Sequence, residues 1–389
     1  MRRLARVLVL MPSADLGGAE AHTAWLMRSL AASGLDLRSA ISTPLRDRFT
    51  ALISPALAAG LEPAPIGWDT SDSLDGNERR QAEAAAALIS AAEPDAAILP
   101  LPWPTHGLGL QRALAEAGVP VMAVAHLAPA APEPEEREAA RAAPAGATTW
   151  VAVSQPVATR VTACFALPPR TVAVVPNGVA VAPEDPRRRS AARAAKRDLA
   201  GVVGAAPLFV FAGRLEPNKG ADLLPALAER LHAATGGVIA ALRAAGKPLR
   251  GWDAAAVQPG LHRAGQVPDV GDWLLGADAL LLPSRLKGCP LVFLEAAARR
   301  CPVVATPAGV EAFGDAAFGM AAVAQEGSAA AVADRALAAL AEPAATRRRV
   351  EAAYRHAAAH DAAATLRQYA GLLRATALRP IRHRPTAHA

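Results

Sequence analysis

Short apolar runs alternate with longer alanine-rich segments along this chain, and the alternation stops once and then begins again. Val7-Leu8-Val9-Leu10 leads through a Gly-Gly turn into a helical pattern over about 19–33. Ala97-Ile98-Leu99 ends in a proline-rich loop, and "VPVMAVA" (119–125) ends at His126. The runs 149–153 and 172–175 end at Ser154 and in "PNG". Strand-then-helix repetition of this kind predicts an α/β fold, with a parallel sheet covered on both faces.

The break is "AVAPEDPRRRSAARAAKRDLAG", polar, proline-bearing and charged. It reads as an interdomain linker over 181–205. The pattern restarts with a strand over 208–211, and "DALLLPS" and "PVVAT" supply later strands of the same half. Two Rossmann-like, doubly wound domains are therefore expected, at 1–180 and 206–355. In open parallel sheets ligands bind beyond the carboxyl ends of the strands, which places the expected site in a cleft between the domains.

A chain of 389 residues can hold two cores. Its 52% hydrophobic and 4% aromatic content makes alanine, leucine and valine the core formers. Cys164, Cys289 and Cys301 form no CxxC pair and sit among apolar neighbours, as buried thiols of a cytoplasmic protein would. No apolar run is long enough for a membrane span, and the run 7–11 is too short for a signal peptide. The formal charge of +6 suits nucleic acid, anionic lipid or a phosphorylated small molecule. The few aromatics, poorly interleaved with arginine, argue against nucleic acid. The basic ends, "MRRLAR" and "RPIRHRPTAHA", are either solvated termini or a peripheral contact with the inner face of a cell membrane. The acidic, proline-rich segment 128–147 reads as a solvated loop with a helical turn, or as a lid.

Chemistry concentrates in loops at strand ends. "VFAGRLEPNKGADLL" places Gly213, Arg214, Lys219 and Gly220 between a strand and a helix. Two cations among glycines are what a diphosphate needs, although solvated surface cations would look the same. Lysine occurs only at 196, 219, 247 and 287. Lys287 therefore needs a reason to stand in "SRLKGCPLVFLEAAA". There Gly288, Cys289 and Pro290 open a helix, with Pro290 read at its first position and the Leu291 and Val292 amides free for an anion. Glu295 lies one turn in, among apolar neighbours, and needs a partner: a sugar diol, a cap or an internal ion pair. Gly17 and Gly18 make a tight turn into the first helix. His126, and less clearly His106, stand where strands hand over to loops, as structural or functional residues. GxSxG, HExxH, Walker and GxGxxG patterns are missing, and the acidic residues show no metal-ligand spacing.

Taken in order, these segments resemble the retaining glycosyltransferases of family 4, with the GT-B architecture of two facing Rossmann-like domains. "GGAEAHTAWLMRSLAASG", "VAVSQPVATRV", "VVPNGV", "AGRLEPNKGADLL" and "VPDVGDWLLGADALLLPSRLKGCPLVFLEAAARRCPVVATPAG" carry the likeness over nearly the whole chain. It implies a UDP- or GDP-sugar donor, no metal or other cofactor, and transfer with retention. The acceptor would be a bacterial surface glycan, a lipid-linked saccharide or a small secondary metabolite. Arg214 and Lys219 match the leaving-group cations, Glu295 the ribose-binding glutamate, and Gly17 and Gly18 the loop near donor phosphates and acceptor. His126 matches the strand-end histidine near the donor sugar. The last segment resembles a crossover helix, expected over 356–376 and followed by a basic tail, 377–389.

The departures are specific. Lys287 stands where the family's Glu-x7-Glu motif has its first glutamate, so a donor of hydrogen bonds replaces an acceptor and the charge is reversed. Lys287 then pairs with a carboxylate on a uronic-acid donor, or contacts the diphosphate, or marks a degenerate site that only binds a nucleotide or glycan. Arg300 stands where glycine is usual, and "AALRAAGKPLRGW" only loosely matches the loop that often contacts the base.

Overall fold

A computed structural model describes residues 4–144, 148–243 and 257–379. The chain divides into two compact units: 1–176 with 365–389, and 177–364. The sheet of the first comprises β1 (Arg6–Met11), β2 (Asp36–Ser42), β3 (Leu61–Ala64), β4 (Ala96–Leu101), β5 (Val121–Ala125), β6 (Thr148–Ala152) and β7 (Ala173–Val174). They lie in the order β3-β2-β1-β4-β5-β6-β7, with every pairing parallel. The second unit has β8 (Leu208–Gly213), β9 (Val238–Arg243), β10 (Leu261–Gly265), β11 (Ala279–Leu282), β12 (Val303–Ala305) and β13 (Ala322–Val323). Their order is β10-β9-β8-β11-β12-β13, again parallel.

The apolar runs become the central strands because they are buried on both faces. Val7–Met11, Ala96–Leu101 and Val121–Ala125 are buried throughout. In the second unit Phe209, Phe211, Leu224, Leu227, Leu231, Ile239 and Leu281 form one apolar core between sheet and helices. In both sheets the strand order reverses beside the first strand, between β1 and β4 and between β8 and β11. Loops from those strand pairs diverge, leaving a crevice where ligands bind in sheets of this type.

The first helix, Gly18–Ala32, begins at Gly17, whose amide donates to the Glu20 carboxylate at 2.6 Å. Ser13 Oγ donates to the same carboxylate at 2.6 Å, tying the end of β1 to the helix start. Glu20 is thus satisfied although it is buried.

Two segments differ from the sequence reading. The stretch 181–205 contains a helix, Pro186–Leu199, capped by Asp185 and packed within the second unit. Arg188, Arg193 and Lys196 on it pair with Asp272, Asp278 and Asp269. Segment 128–147 contains a nine-residue helix, Pro134–Ala142, rather than a single turn. Its Glu136 accepts from Trp103 Nε1 at 3.2 Å and Thr105 Oγ1 at 2.9 Å. Near the C-terminus the helices are Pro343–Ala359 and Ala362–Ala377, and the division between units falls at 364/365. Tyr369 and Leu373 of the last helix are fully buried. Most of the basic tail, the first three residues and much of the expected base-contacting loop lie outside the described residues.

Candidate functional site

The loops after β8 and β11 meet at the switch point of the second sheet. β8 ends at Gly213; Arg214 follows, then a tight turn, Pro217–Lys219, that ends at Gly220. Gly220 has φ of 73°, and a Cβ there would lie 2.0 Å from the Pro283 carbonyl oxygen. Only glycine lets the two loops come this close. The contact is secured by the Arg285 and Leu286 amides, which donate to the Asn218 carbonyl at 2.9 and 3.3 Å. The Arg285 guanidinium grips Asp222 in a two-pronged pair at 2.7 and 2.8 Å. These links hold Lys287 in the field of Lys219 and Arg214.

The result is a cation cluster. Burial, then Lys219 and Arg214, push the Lys287 amine down to about 7. Burial and then Arg214 push Lys219 down to about 8, with Glu216 pulling the other way. Arg214 pairs with Glu216 at 3.1 Å. Three half-buried cationic side chains thus lie within reach of one another's charge, and Glu216 acts on two of them, Arg214 and Lys219. Arg214 lowers the proton affinity of both lysines, and Lys219 that of Lys287, because like charges repel where water is scarce. An anion with two or more charges would relieve all three.

Helix Leu291–Ala298 starts four residues after Lys287, one position later than expected, with Pro290 as its N-cap rather than its first residue. The Leu291 and Val292 amides have no acceptor among the described residues. Gly288 and Cys289 are buried, and Asn177 Nδ2 donates to the Cys289 carbonyl at 2.8 Å. The Cys289 thiol is pushed up to about 11 by burial, so it stays protonated and is no nucleophile. Glu295 is half-buried; burial raises its carboxyl and Arg299 pulls it back. Arg299 donates to the Glu295 backbone carbonyl at 3.1 Å and not to the carboxylate. Neither cap nor internal ion pair engages the Glu295 carboxylate among the described residues.

Gly17, Gly18 and His126 belong to the first unit, at the ends of β1 and β5. His126 is buried against His22, with ring centroids 5.0 Å apart, and His22 lies 5.3 Å from Tyr369. Burial pushes His22 down to about 4 and His126 well below its ordinary value. Both are neutral at pH 7. Their Nε2 atoms are buried without hydrogen-bond partners, and both rings line a cavity of about 10 Å³, room for a single water. His106 instead stacks on Trp68 at 4.2 Å, a structural placement.

Sequence reasoning missed His22, Asn177, Glu216 and Arg285. His22 lies two residues beyond Glu20, on the buried face of a helix read only for its glycines. Asn177 was visible in "PNG", but its bond to Cys289 spans 112 positions. Among the described residues no group of three or more His, Cys, Asp or Glu could hold a metal ion. No helix there is long and apolar enough to cross a membrane.

Two family models match: "Glycosyltransferase Family 4" over residues 16–182, and "Glycosyl transferases group 1" over 206–342. D-inositol 3-phosphate glycosyltransferase of Xylanimonas cellulosilytica is 34% identical over 146 residues, 35% of each chain. TuaC of Bacillus subtilis, a glycosyltransferase assigned to teichuronic acid biosynthesis, is 38% identical over 104 residues, 26% of this chain and 25% of that one. The chain thus spans between a quarter and about a third of the length of these curated relatives. The crystal structure of Anabaena HepE in complex with UDP superposes with a TM-score of 0.73 at 16% identity, over 95% of this chain and 100% of that one. With two parallel α/β sheets and both family models matched in order, this chain belongs to the family 4, group 1 glycosyltransferases of GT-B fold.

Proposed function

We propose that this protein transfers a sugar from a nucleotide diphosphate sugar to a glycan, lipid-linked or small-molecule acceptor, with retention of anomeric configuration. The observation that carries the reading is the cluster of Arg214, Lys219 and Lys287, in which Glu216 pairs with Arg214 and acts on Lys219. A diphosphate supplies the charge this cluster lacks. As the bond to the sugar breaks, negative charge grows on the departing phosphate, and fixed cations stabilise that state more than the ground state. The Leu291 and Val292 amides add two donors, and the Glu295 carboxylate accepts from a ribose diol. His126, neutral, contributes a hydrogen bond and not a charge. HepE was crystallised with UDP, which supports a uridine donor here.

Of the readings open for Lys287, the diphosphate contact has the stronger support, because Lys219 and Arg214 are the charges that act on it. A uronic-acid donor is the second reading; the similarity to TuaC favours it. Release of nucleoside diphosphate from a panel of UDP- and GDP-sugars, with anomeric configuration read by NMR, tests the proposal. No turnover above background with any donor and acceptor would leave only the binding-protein reading. Lys287→Glu is expected to lower turnover at least tenfold while leaving the order of donor preference unchanged. Selective loss of UDP-glucuronic acid would instead assign Lys287 to the sugar.

The cluster also sets a pH dependence. Lys287 and Lys219 lose protons in the folded state near pH 7 and 8, but in the unfolded chain only near 10.4. Between those values the unfolded chain binds more protons, so this contribution makes stability rise with pH. A bound diphosphate restores the protons. Its affinity is expected to fall as pH rises above about 8, and binding at pH 8 to take up protons. Calorimetry in two buffers of different ionisation enthalpy reads this directly. Zero uptake would place the anion away from the lysines.

A further inference from the structure

The far end of helix Leu291–Ala298 carries a second group of cations. The chain turns there through Arg299 and Arg300, and Arg300 has φ of 51°. That left-handed conformation is open to glycine and disfavoured for any residue with a Cβ, so an arginine held there has been retained at a cost. Its guanidinium lies 3.5 Å from the centroid of the Tyr354 ring. Its Nε is 3.4 Å from Glu184 and 3.7 Å from Glu351. Its Nη1 is buried with no acceptor among the described residues. Arg189 pairs with the same Glu184 at 3.2 Å and donates to the Arg299 carbonyl at 2.6 Å.

A cavity of about 290 Å³ opens among these side chains, lined also by Arg188, Asp185 and Leu275. Every lining residue belongs to the second unit. Four arginines and two carboxylates line it, and two further carboxylates outside the lining, Asp272 and Glu351, pair with Arg188 and Arg300. Both carboxylates are committed. Glu184 is shared by two arginines, and Asp185 caps helix Pro186–Leu199 through the Arg187 and Arg188 amides. Arg188 is committed to Asp272. Arg299 has no carboxylate within ion-pair distance among the described residues. Ion pairs alone account for Arg189 and part of Arg300. They leave unexplained a cavity beside Arg299, which feels Glu295 but forms no ion pair among the described residues, and an orphaned Arg300 Nη1.

We infer that this pocket is a second anion site, which binds a small phosphorylated molecule through Arg299 and Arg300. Guanidinium forks match phosphate oxygens in geometry and charge. The volume sits near the lower bound for small-ligand pockets, room for a phosphate with a sugar-sized substituent. The site is separate from the Arg214–Lys219–Lys287 cluster, because the helix of eight residues that lies between them is about 12 Å long.

The test uses the full chain carrying Lys219→Ala and Lys287→Ala, which leaves Arg214, paired with Glu216, as the one remaining cation of the other cluster. Inorganic phosphate and glucose 1-phosphate are titrated by calorimetry. The expected result is saturable binding at one site per chain, weakened at least tenfold by Arg300→Gly and by Arg299→Gln in that background. Tighter binding of glucose 1-phosphate identifies a phosphate ester as the ligand, and equal binding identifies free phosphate. Arg300→Gly supplies the residue this backbone prefers, and Arg299→Gln leaves the Arg300 pairs intact, so circular dichroism should show both folded. Unchanged affinity in both variants overturns the inference. So does the lack of saturation by about 10 mM, an affinity too weak for a site.

Discussion

Replacing Lys219 by alanine is expected to reduce turnover by about 10²–10³, with a melting temperature unchanged or raised. Lys219 is half-buried; Arg214 pushes its amine down, and Lys219 and Arg214 in turn push down Lys287. Removing one cation relieves that repulsion, so the fold loses little. On the proposed mechanism, the site loses a fixed charge that would act most strongly when the leaving group becomes negative. Arg214→Ala is expected to behave alike on turnover, but it also releases Glu216 from its 3.1 Å pair. Steady-state kinetics beside thermal melting separates the cases. Parallel loss of activity and stability would make these residues structural.

Gly220→Ala is expected to have the largest effect on folding. Its φ of 73° costs an alanine about 1–2 kcal/mol. The added Cβ would also lie 2.0 Å from the Pro283 carbonyl oxygen, a backbone atom that cannot swing aside. Together these should destabilise the second unit by roughly 2–5 kcal/mol. The loops after β8 and β11 would be forced apart, separating Lys219 from Lys287, so activity should fall with stability. A chemical denaturation midpoint equal to that of the parent would show that the loops are not held in this contact.

The strands and the loops at their ends were legible in the sequence for a physical reason. Parallel strands buried on both faces read as continuous apolar runs, and glycines beside rare lysines stand out in an alanine-rich chain. Gly213, Arg214, Lys219, Lys287 and the start of helix Leu291–Ala298 could thus be named before any coordinates. The helix Pro186–Leu199 could not, because it is polar on most faces and is held by Asp272, Asp278 and Asp269, more than 70 residues away. His22 was hidden for the opposite reason: its surroundings are apolar, and only the packed structure shows it against His126 and Tyr369. The charge reversal at Lys287 was legible, but not what it faces. That depended on the stitching of Arg285 to Asp222 and Asn218.

Arg300 illustrates both limits. In sequence it was an arginine in the place of a glycine; in the structure it keeps the left-handed backbone and places a guanidinium over Tyr354.

The central claim, that the cation cluster receives a nucleoside diphosphate, is tested most directly by thermal shift with UDP, GDP, ADP and dTDP, and with UDP-glucose and UDP-glucuronic acid. The panel is run on the parent and on Lys219→Ala. At about 100 times its dissociation constant, a ligand should stabilise the parent by about 2.7 kcal/mol. The account predicts a clear shift with one nucleotide, UDP first, that is lost or much reduced in Lys219→Ala. No shift with any nucleotide, or the same shift in both proteins, would contradict it.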